Sequence, residues 1–525
     1  MAAPRSAWLR AVAAALLASA AHADLLITND GRIFDGKPMR RVAGGIEVQF
    51  EHGTVLVPQA IVFDAVLEAD KNWVPTTEEE KAQTAKGMVR FDKKWMTPKQ
   101  RDDLIAKRVE KRKALFEQMK ARREWRNRQI LDTKYFRFEH TLPDHVFEPY
   151  RDAMEAYFTE FLRTWKVKPP KNEDRLPVCF YLDEESFHQI SGVGAGVLGY
   201  FRFVKPWDLN IFYERLDPAL SEDVMFHEAN HYLQLLIDPQ FAVPHFPGES
   251  LAEYYGASAW DPEKKKLTTG LVQEGRLCEI QTDLDGGTKI GLHALITTDG
   301  MYEHYTWGWS LVHFLMNDAK YAAKFQRFFL ALHEAKGVER QTAGTGNMFT
   351  LAPSDVLVVF MRELGLKDAT ALREIETKWY DYIDTKLKLV TVTGIERAAF
   401  KANQTGRKLK ATRLFKEAIE KGSKNALVFR DLSRLYANDG KWSDAIDTCK
   451  LALAIDPLNG DFYGYLSRLL DKRDQPESDR VKALAKELGW DDPWANVELD
   501  LDGDGKPDEP KPGDAPTPGE KPKGS

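Results

Sequence analysis

Cysteine is scarce in this chain, with three among 525 residues. That excludes a disulfide-built scaffold and a Cys-rich zinc array. Beyond the first twenty or so residues no apolar run reaches the roughly 18 residues that a membrane-spanning helix needs, so no membrane anchor is expected. Neither sign of charge dominates: 74 Lys and Arg face 80 Asp and Glu, a formal net charge of −6. Such a balance carries no nucleic-acid signal. There is no Walker sequence and no G-x-S-x-G nucleophile elbow. What is present is ordinary globular material, 43% hydrophobic and 29% charged, enough for large cores. At about 150 residues per domain the length suggests three or four domains.

Composition divides the chain. Arg5 and Arg10 flank a short apolar stretch over 11–19, and Ala21-His22-Ala23 follows as an A-x-A site. Residues 1–23 therefore read as a signal peptide, and the mature protein as exported, periplasmic or secreted. No cysteine stands just after the cleavage site, so a lipoprotein route is not expected. In that setting Cys179, Cys278 and Cys449 are an odd set, expected to be free buried thiols. Residues 24–96 alternate and turn like a small β-rich module. Residues 97–130 hold twelve Lys or Arg against five Asp or Glu, with Thr97-Pro98 as a helix start. They predict a charged connecting helix, whose other use would be a basic surface for an anionic polymer. Residues 131–388 mix strands and helices. Residues 491–525 form an acidic, Pro-rich tail expected to be disordered. Within it Asp500, Asp502, Asp504, Gly505 and Asp508 imitate a calcium loop, but Lys511 stands where a bidentate Glu is needed.

One helix carries the strongest chemistry. Asp217-Pro218 opens it, Asp238-Pro239 stops it, and it contains His227-Glu228-Ala229-Asn230-His231. Residues four apart share a helix face, so His227 and His231 can bind one zinc ion, with Glu228 beside them as general base. Two histidines and a glutamate among Met225, Phe226, Leu233 and Leu235 are costly to bury without a partner. A third ligand is needed, and an open position for water. Glu249 and Glu253 lie downstream, again four apart, after Pro247-Gly248. Glu249 is the expected ligand and Glu253 an outer residue that orients one; a swapped register would reverse them. His245 is a rival third ligand.

HEANH followed by GESLAEYY resembles the gluzincin metallopeptidases, which include thermolysin and the alanyl-aminopeptidases. It is especially similar to a group of secreted bacterial proteins called peptidase-MA-like, a domain of unknown function. The resemblance spans about residues 131–385. It implies a mostly helical zincin-type α+β domain with a small mixed sheet. It implies zinc on His227, His231 and Glu249, and Glu228 as base. In the aminopeptidase branch a Tyr followed three residues later by Gly at a helix start steadies the oxyanion. Tyr305 with Gly308 fits that pattern, with Tyr302 and His304 as neighbours that could substitute. The G-A-M-E-N-like segment that binds a free amine is missing, which weakens an exopeptidase reading. The resemblance also implies that the strand pair 198–203 and 208–213 supplies an edge for the substrate backbone.

Residues 392–490 repeat every 34 residues. Ala411 and Ala418 answer Ala445 and Ala452, while Tyr463, Leu466 and Leu470 answer Phe429, Leu432 and Tyr436. This resembles the tetratricopeptide repeat, which implies a surface for a protein partner or a stacking appendage. Gly194, Gly196 and Gly199 fit G-x-G-x-x-G, but the strand-like Tyr200-Phe201-Arg202-Phe203 follows where a dinucleotide site needs a helix. The expected function is therefore a secreted zinc metallopeptidase acting on a peptide or protein substrate. Two alternatives stay open: a catalytically silent scaffold that binds peptides on its repeats, and a zinc amidase acting on cell-wall material.

Overall fold

Short extended runs make the first strands of the chain: Leu25–Thr28 is buried throughout, whereas Thr54–Pro58 alternates exposed and buried side chains. The computed structural model describes residues 24–67, 74–91, 94–168, 175–344, 348–471 and 473–491. The signal-peptide reading and the Asp500–Asp508 loop lie outside these residues. Strands β1 (Leu25–Thr28), β2 (Ile33–Asp35), β3 (Met39–Val42), β4 (Gly45–Gln49), β5 (Thr54–Pro58) and β6 (Val62–Val66) form two three-stranded sheets, ordered β2-β1-β6 and β3-β4-β5. A short helix, α1 (Glu78–Ala85), precedes the pair β7 (Val89–Phe91) and β8 (Lys94–Met96). The charged helix α2 (Pro98–Arg122) begins where expected. Thr97 and Gln100 form a reciprocal capping box and Pro98 opens the first turn. Its buried residues are Ile105, Phe116 and Met119, so most of its surface is solvated.

The described residues form two compact units. One takes the residues up to Lys37 together with Pro58–Val428; the other takes Pro38–Val57 together with the residues from Phe429 onward.

The first unit is built on a five-stranded mixed sheet, ordered β12-β13-β11-β10-β9. Its strands are β9 (Gln129–Asp132), β10 (Phe136–His140), β11 (Leu176–Tyr181), β12 (Gly199–Phe201) and β13 (Leu209–Phe212). β10, β11 and β13 run parallel, while β9 and β12 are antiparallel edges. Helix α3 (Asp144–Trp165) buries Phe147, Tyr157, Phe158, Phe161 and Trp165 in the core that covers the sheet. After α4 (Glu184–Ser191) come the two helices that matter most, α5 (Pro218–Ile237) and α6 (His245–Gly256). Asp217 caps α5 through Leu220 N and Pro218 sits in its first turn. A small hairpin, β14 (Ala259–Asp261) with β15 (Lys266–Thr268), follows.

The rest of this unit is almost wholly helical: α7 (Glu274–Asp285), α8 (Leu292–Thr297), a continuous run over 301–317 ending in α9 (Trp309–Asn317), α10 (Ala322–Glu334), α11 (Pro353–Leu364) and α12 (Ala369–Lys386). Strands β16 (Arg340–Ala343) and β17 (Met348–Leu351) interrupt it. Helices α13 (Val392–Gln404) and α14 (Lys408–Glu420) open the C-terminal helical block.

Four further helices complete that block: α15 (Ala426–Asn438), α16 (Trp442–Ile455), α17 (Gly460–Leu470) and α18 (Gln475–Glu487). The alanines counted in the repeat, Ala411, Ala418, Ala445 and Ala452, have no exposed surface, as close helix contact demands. In the second unit Glu487 of α18 accepts hydrogen bonds from Glu51 N at 2.9 Å, His52 N at 2.8 Å and His52 Nδ1 at 2.7 Å. The architecture is thus the expected one: mostly helical, with small mixed sheets and a C-terminal block of helices. Among the described residues no helix is long and apolar enough to cross a membrane, and the three cysteines are free thiols.

Candidate metal centre

Helices α5 and α6 pack face to face, and a buried polar chain fixes their register. Gln234 Nε2 donates to Gly248 O at 2.9 Å and to Asn230 Oδ1 at 2.7 Å; Asn230 Nδ2 donates to Tyr157 OH at 2.8 Å. The edge strand closes on the same helix. A Cβ on Gly199 would stand 2.6 Å from Val224 Cγ1, so the third glycine of the G-x-G-x-x-G match serves close packing of β12 on α5.

This packing brings three ligand atoms together. His227 Nε2 and His231 Nε2 are 3.3 Å apart, and Glu249 Oε2 is 3.3 Å from each. A tetrahedral ion at about 2.0–2.1 Å from its ligands holds them about 3.3–3.4 Å apart. The triangle therefore has the dimensions of one face of a zinc tetrahedron. Glu249 Oε2 is buried and receives no hydrogen bond of good geometry, the condition of a carboxylate oxygen that awaits a cation. Among the described residues, this is a cluster of His, His and Glu that could hold a metal ion.

The electrostatics agree. Burial alone would lower the pKa of His227, yet the carboxylates of Glu249, Glu253 and Glu228 push it up to about 9. Burial would raise the pKa of Glu249, yet the two imidazoles hold it well below the usual range. Two rings and three carboxylates in a small volume thus favour positive charge between them, whether proton or metal.

Glu253 stands behind the triangle. Its Oε1 is 3.5 Å from His227 Nδ1, so it faces the nitrogen that does not point at the other ligand atoms, as a carboxylate orienting a metal-bound imidazole does. Arg276 of α7 grips Glu253 through both nitrogens of its fork, Nη2 to Oε1 at 2.8 Å and Nε to Oε2 at 3.1 Å. The Oε2 of Glu228 accepts the backbone N–H of Phe201 at 2.9 Å, and its charge acts on both His227 and Tyr305.

Tyr305 lies over the cluster, its ring stacked on His227 with centroids 5.7 Å apart. Burial first, then the charge and hydrogen bond of Glu249, raise its pKa, so the hydroxyl keeps its proton. One expectation needs correction. Tyr305 does not precede a helix start; it lies in a π-helical turn, His304–Gly308, inside the helical run over 301–317. The turn ends at a close approach. A Cβ on Gly308 would stand 2.1 Å from Ser250 Oγ, so glycine is needed where this segment crosses α6. Such turns recur at functional positions.

The other candidates stand elsewhere. His245 is not a member of the cluster; its Nδ1 lies 2.7 Å from His304 Nδ1, and His304 Nε2 pairs with Leu295 O at 3.1 Å. Tyr302 donates to Asp283 at 3.0 Å. Arg276 and the Phe201 N–H escaped sequence reasoning: a lone arginine and a backbone amide leave no spacing signal. No family model matches the chain, and no curated protein matches it.

Proposed function

We propose that this protein is a zinc-dependent peptidase of gluzincin type, exported from the cell. The observation that carries the reading is the 3.3 Å triangle of His227 Nε2, His231 Nε2 and Glu249 Oε2. These three residues would hold the ion. A bound zinc supplies Lewis-acid polarisation of a carbonyl and acidifies a water molecule. Glu228 takes the proton of the attacking water on its carboxylate and delivers it to the leaving amine. The Phe201 N–H keeps that carboxylate aimed while it changes protonation. The Tyr305 hydroxyl donates to the oxygen on which negative charge develops. Glu253 holds the His227 ring in the tautomer that leaves Nε2 free to ligate.

The substrate in this reading is a peptide or protein, with the backbone of the edge strand β12 beside Glu228 as its template. The helical repeats offer a separate surface for a protein partner.

The test is metal analysis of the purified chain beside His231→Ala, with both then set against a broad peptide library. About one zinc per wild-type chain, lost in the variant, and zinc-dependent cleavage support the assignment. A chain that carries no zinc after chelator-free purification overturns it. A zinc-loaded chain that cleaves no peptide but digests purified cell wall moves the activity to another amide.

A further inference from the structure

Helix α13 opens the C-terminal helical block and packs on α14, but its polar contacts also run inward, to α7 and to the histidine-bearing α5. Glu274 of α7 receives its start: Val390 N and Thr391 N donate to Glu274 Oε1 at 3.2 and 3.1 Å, and the Thr391 hydroxyl bonds Oε2. Nearly two turns on, Arg397 pairs with Asp223 at 2.7 Å. Asp223 lies on α5, one turn before His227. One turn further, Lys401 Nζ donates to Glu279 Oε1 at 2.8 Å. The other oxygen of Glu279 accepts Thr306 Oγ1 at 2.7 Å and Arg276 Nη1 at 3.2 Å.

A continuous line therefore joins His227, Glu253, Arg276, Glu279 and Lys401. Glu253, Glu279 and Thr306 are buried. The line also touches Tyr305 twice: Thr306 is its chain neighbour, and the Arg276 guanidinium lies 5.2 Å from the centre of its ring. The charges explain the arrangement. Arg276 cannot neutralise both Glu253 and Glu279, and a buried carboxylate left without a cation is costly. Lys401 takes over Glu279, which leaves the bidentate face of Arg276 on Glu253. With both rings neutral, the four carboxylates of Glu228, Glu249, Glu253 and Glu279 then exceed Arg276 and Lys401 by two negative charges, the charge of one divalent cation.

We infer that Lys401, on the first helix of the C-terminal block, is a positioning residue of the metal centre, acting through Glu279 and Arg276 on Glu253 and Tyr305. This rests on the zinc reading of the site. Removing the lysine charge leaves Glu279 to draw Arg276 away from Glu253, which loosens the His227 ring and shifts Tyr305.

The experiment follows zinc release to an excess of chelator from the full-length zinc-loaded protein, beside kcat and KM on any cleaved peptide. Lys401→Met is compared with Lys401→Arg and with Lys410→Met, which breaks the neighbouring α14 ion pair to Asp285. Outer partners of metal ligands are worth about 10–100-fold, and Lys401, three contacts beyond Glu253, is expected to give less, about 3-fold. Lys401→Met should release zinc faster by that factor and lower kcat with KM little changed. Lys401→Arg should restore both, and Lys410→Met should match wild type. Equal release from Lys401→Met and wild type overturns the inference while leaving the zinc site standing. Equal acceleration by Lys410→Met overturns it too, since any lost ion pair would then do the same. A wild-type chain that holds no zinc overturns both readings together.

Discussion

Glu228 Oε2 accepts the backbone N–H of Phe201 at 2.9 Å. The donor is available because antiparallel pairing alternates. Arg202 N reaches across to Asp208 O at 2.9 Å and Tyr200 faces Asn210, so the amide of Phe201 points to the free edge of β12. The glutamate beside the metal triangle and the edge strand are thereby one assembly.

Glu228→Gln should keep zinc and lose turnover. The amide oxygen still accepts the Phe201 N–H, so position is preserved and only the base is removed. Peptide hydrolysis should fall by about 10²–10⁴-fold, read as initial rates on matched metal content. Normal rates from this variant would take Glu228 out of the chemistry.

Tyr305→Phe should also retain zinc, with kcat lower by about 10²-fold and KM little changed, the loss typical of one oxyanion donor. Because burial and Glu249 raise the hydroxyl pKa, the wild-type rate should show no loss from tyrosine ionisation up to pH 10.

Zinc binding should release about one proton at pH 7, since a ligating imidazole must be neutral. His227 in the metal-free protein has its pKa pushed up to about 9, so below that pH zinc displaces a proton from it. Affinity should therefore rise with pH and level off above about 9. Calorimetry in buffers of different ionisation enthalpy measures the proton directly; none released at pH 7 would mean a ring already neutral.

Gly308→Ala places a methyl 2.1 Å from Ser250 Oγ. Overpacking of this kind costs about 1–3 kcal/mol. Ser250→Ala in the same chain should return part of the loss, and a double-mutant cycle in denaturant reads the coupling. Additive effects would show that the two residues do not share the strain.

Glu222 carries a pH-dependent cost. Burial, then the neighbouring charge of Asp223, raises its pKa to about 7 from an ordinary 4.5, against the Trp260 N–H bond that lowers it. The folded state thus binds its proton more tightly than the unfolded state, so stability falls as pH rises from about 4.5 to about 7 and is level above. Glu222→Gln keeps an acceptor for Trp260 N without the charge. Its melting temperature should gain on wild type by a few degrees across that window and by no more beyond it. A constant difference from pH 4 to 8 would remove the titration of Glu222 as the cause.

Much of the site was legible because local spacing and a helix suffice to place it. Asp217, Pro218 and Asp238-Pro239 delimit α5, and its period puts His227 and His231 on one face. The choice between Glu249 and Glu253 was not local, since both lie on the same face of α6. Distance decides it: Glu249 Oε2 meets both Nε2 atoms, whereas Glu253 reaches only the Nδ1 of His227. His245 looked like a rival ligand by position alone, and its pairing with His304 across 59 residues has no trace in spacing.

The sequence by itself determined the elements: where helices start and stop, which alanines let the C-terminal helices touch, and which helix carries two imidazoles and a glutamate. Those follow from capping chemistry, side-chain volume and the 3.6-residue turn, all of which act within a few residues. Only the tertiary structure decided which carboxylate completes the triangle, that Tyr305 sits in a π-helical turn over it, that Arg276 and Lys401 stand behind it, and that Glu487 binds the turn at His52 more than 400 residues away. Those depend on packing between distant segments, where complementary shape and buried charge choose partners that no local pattern encodes.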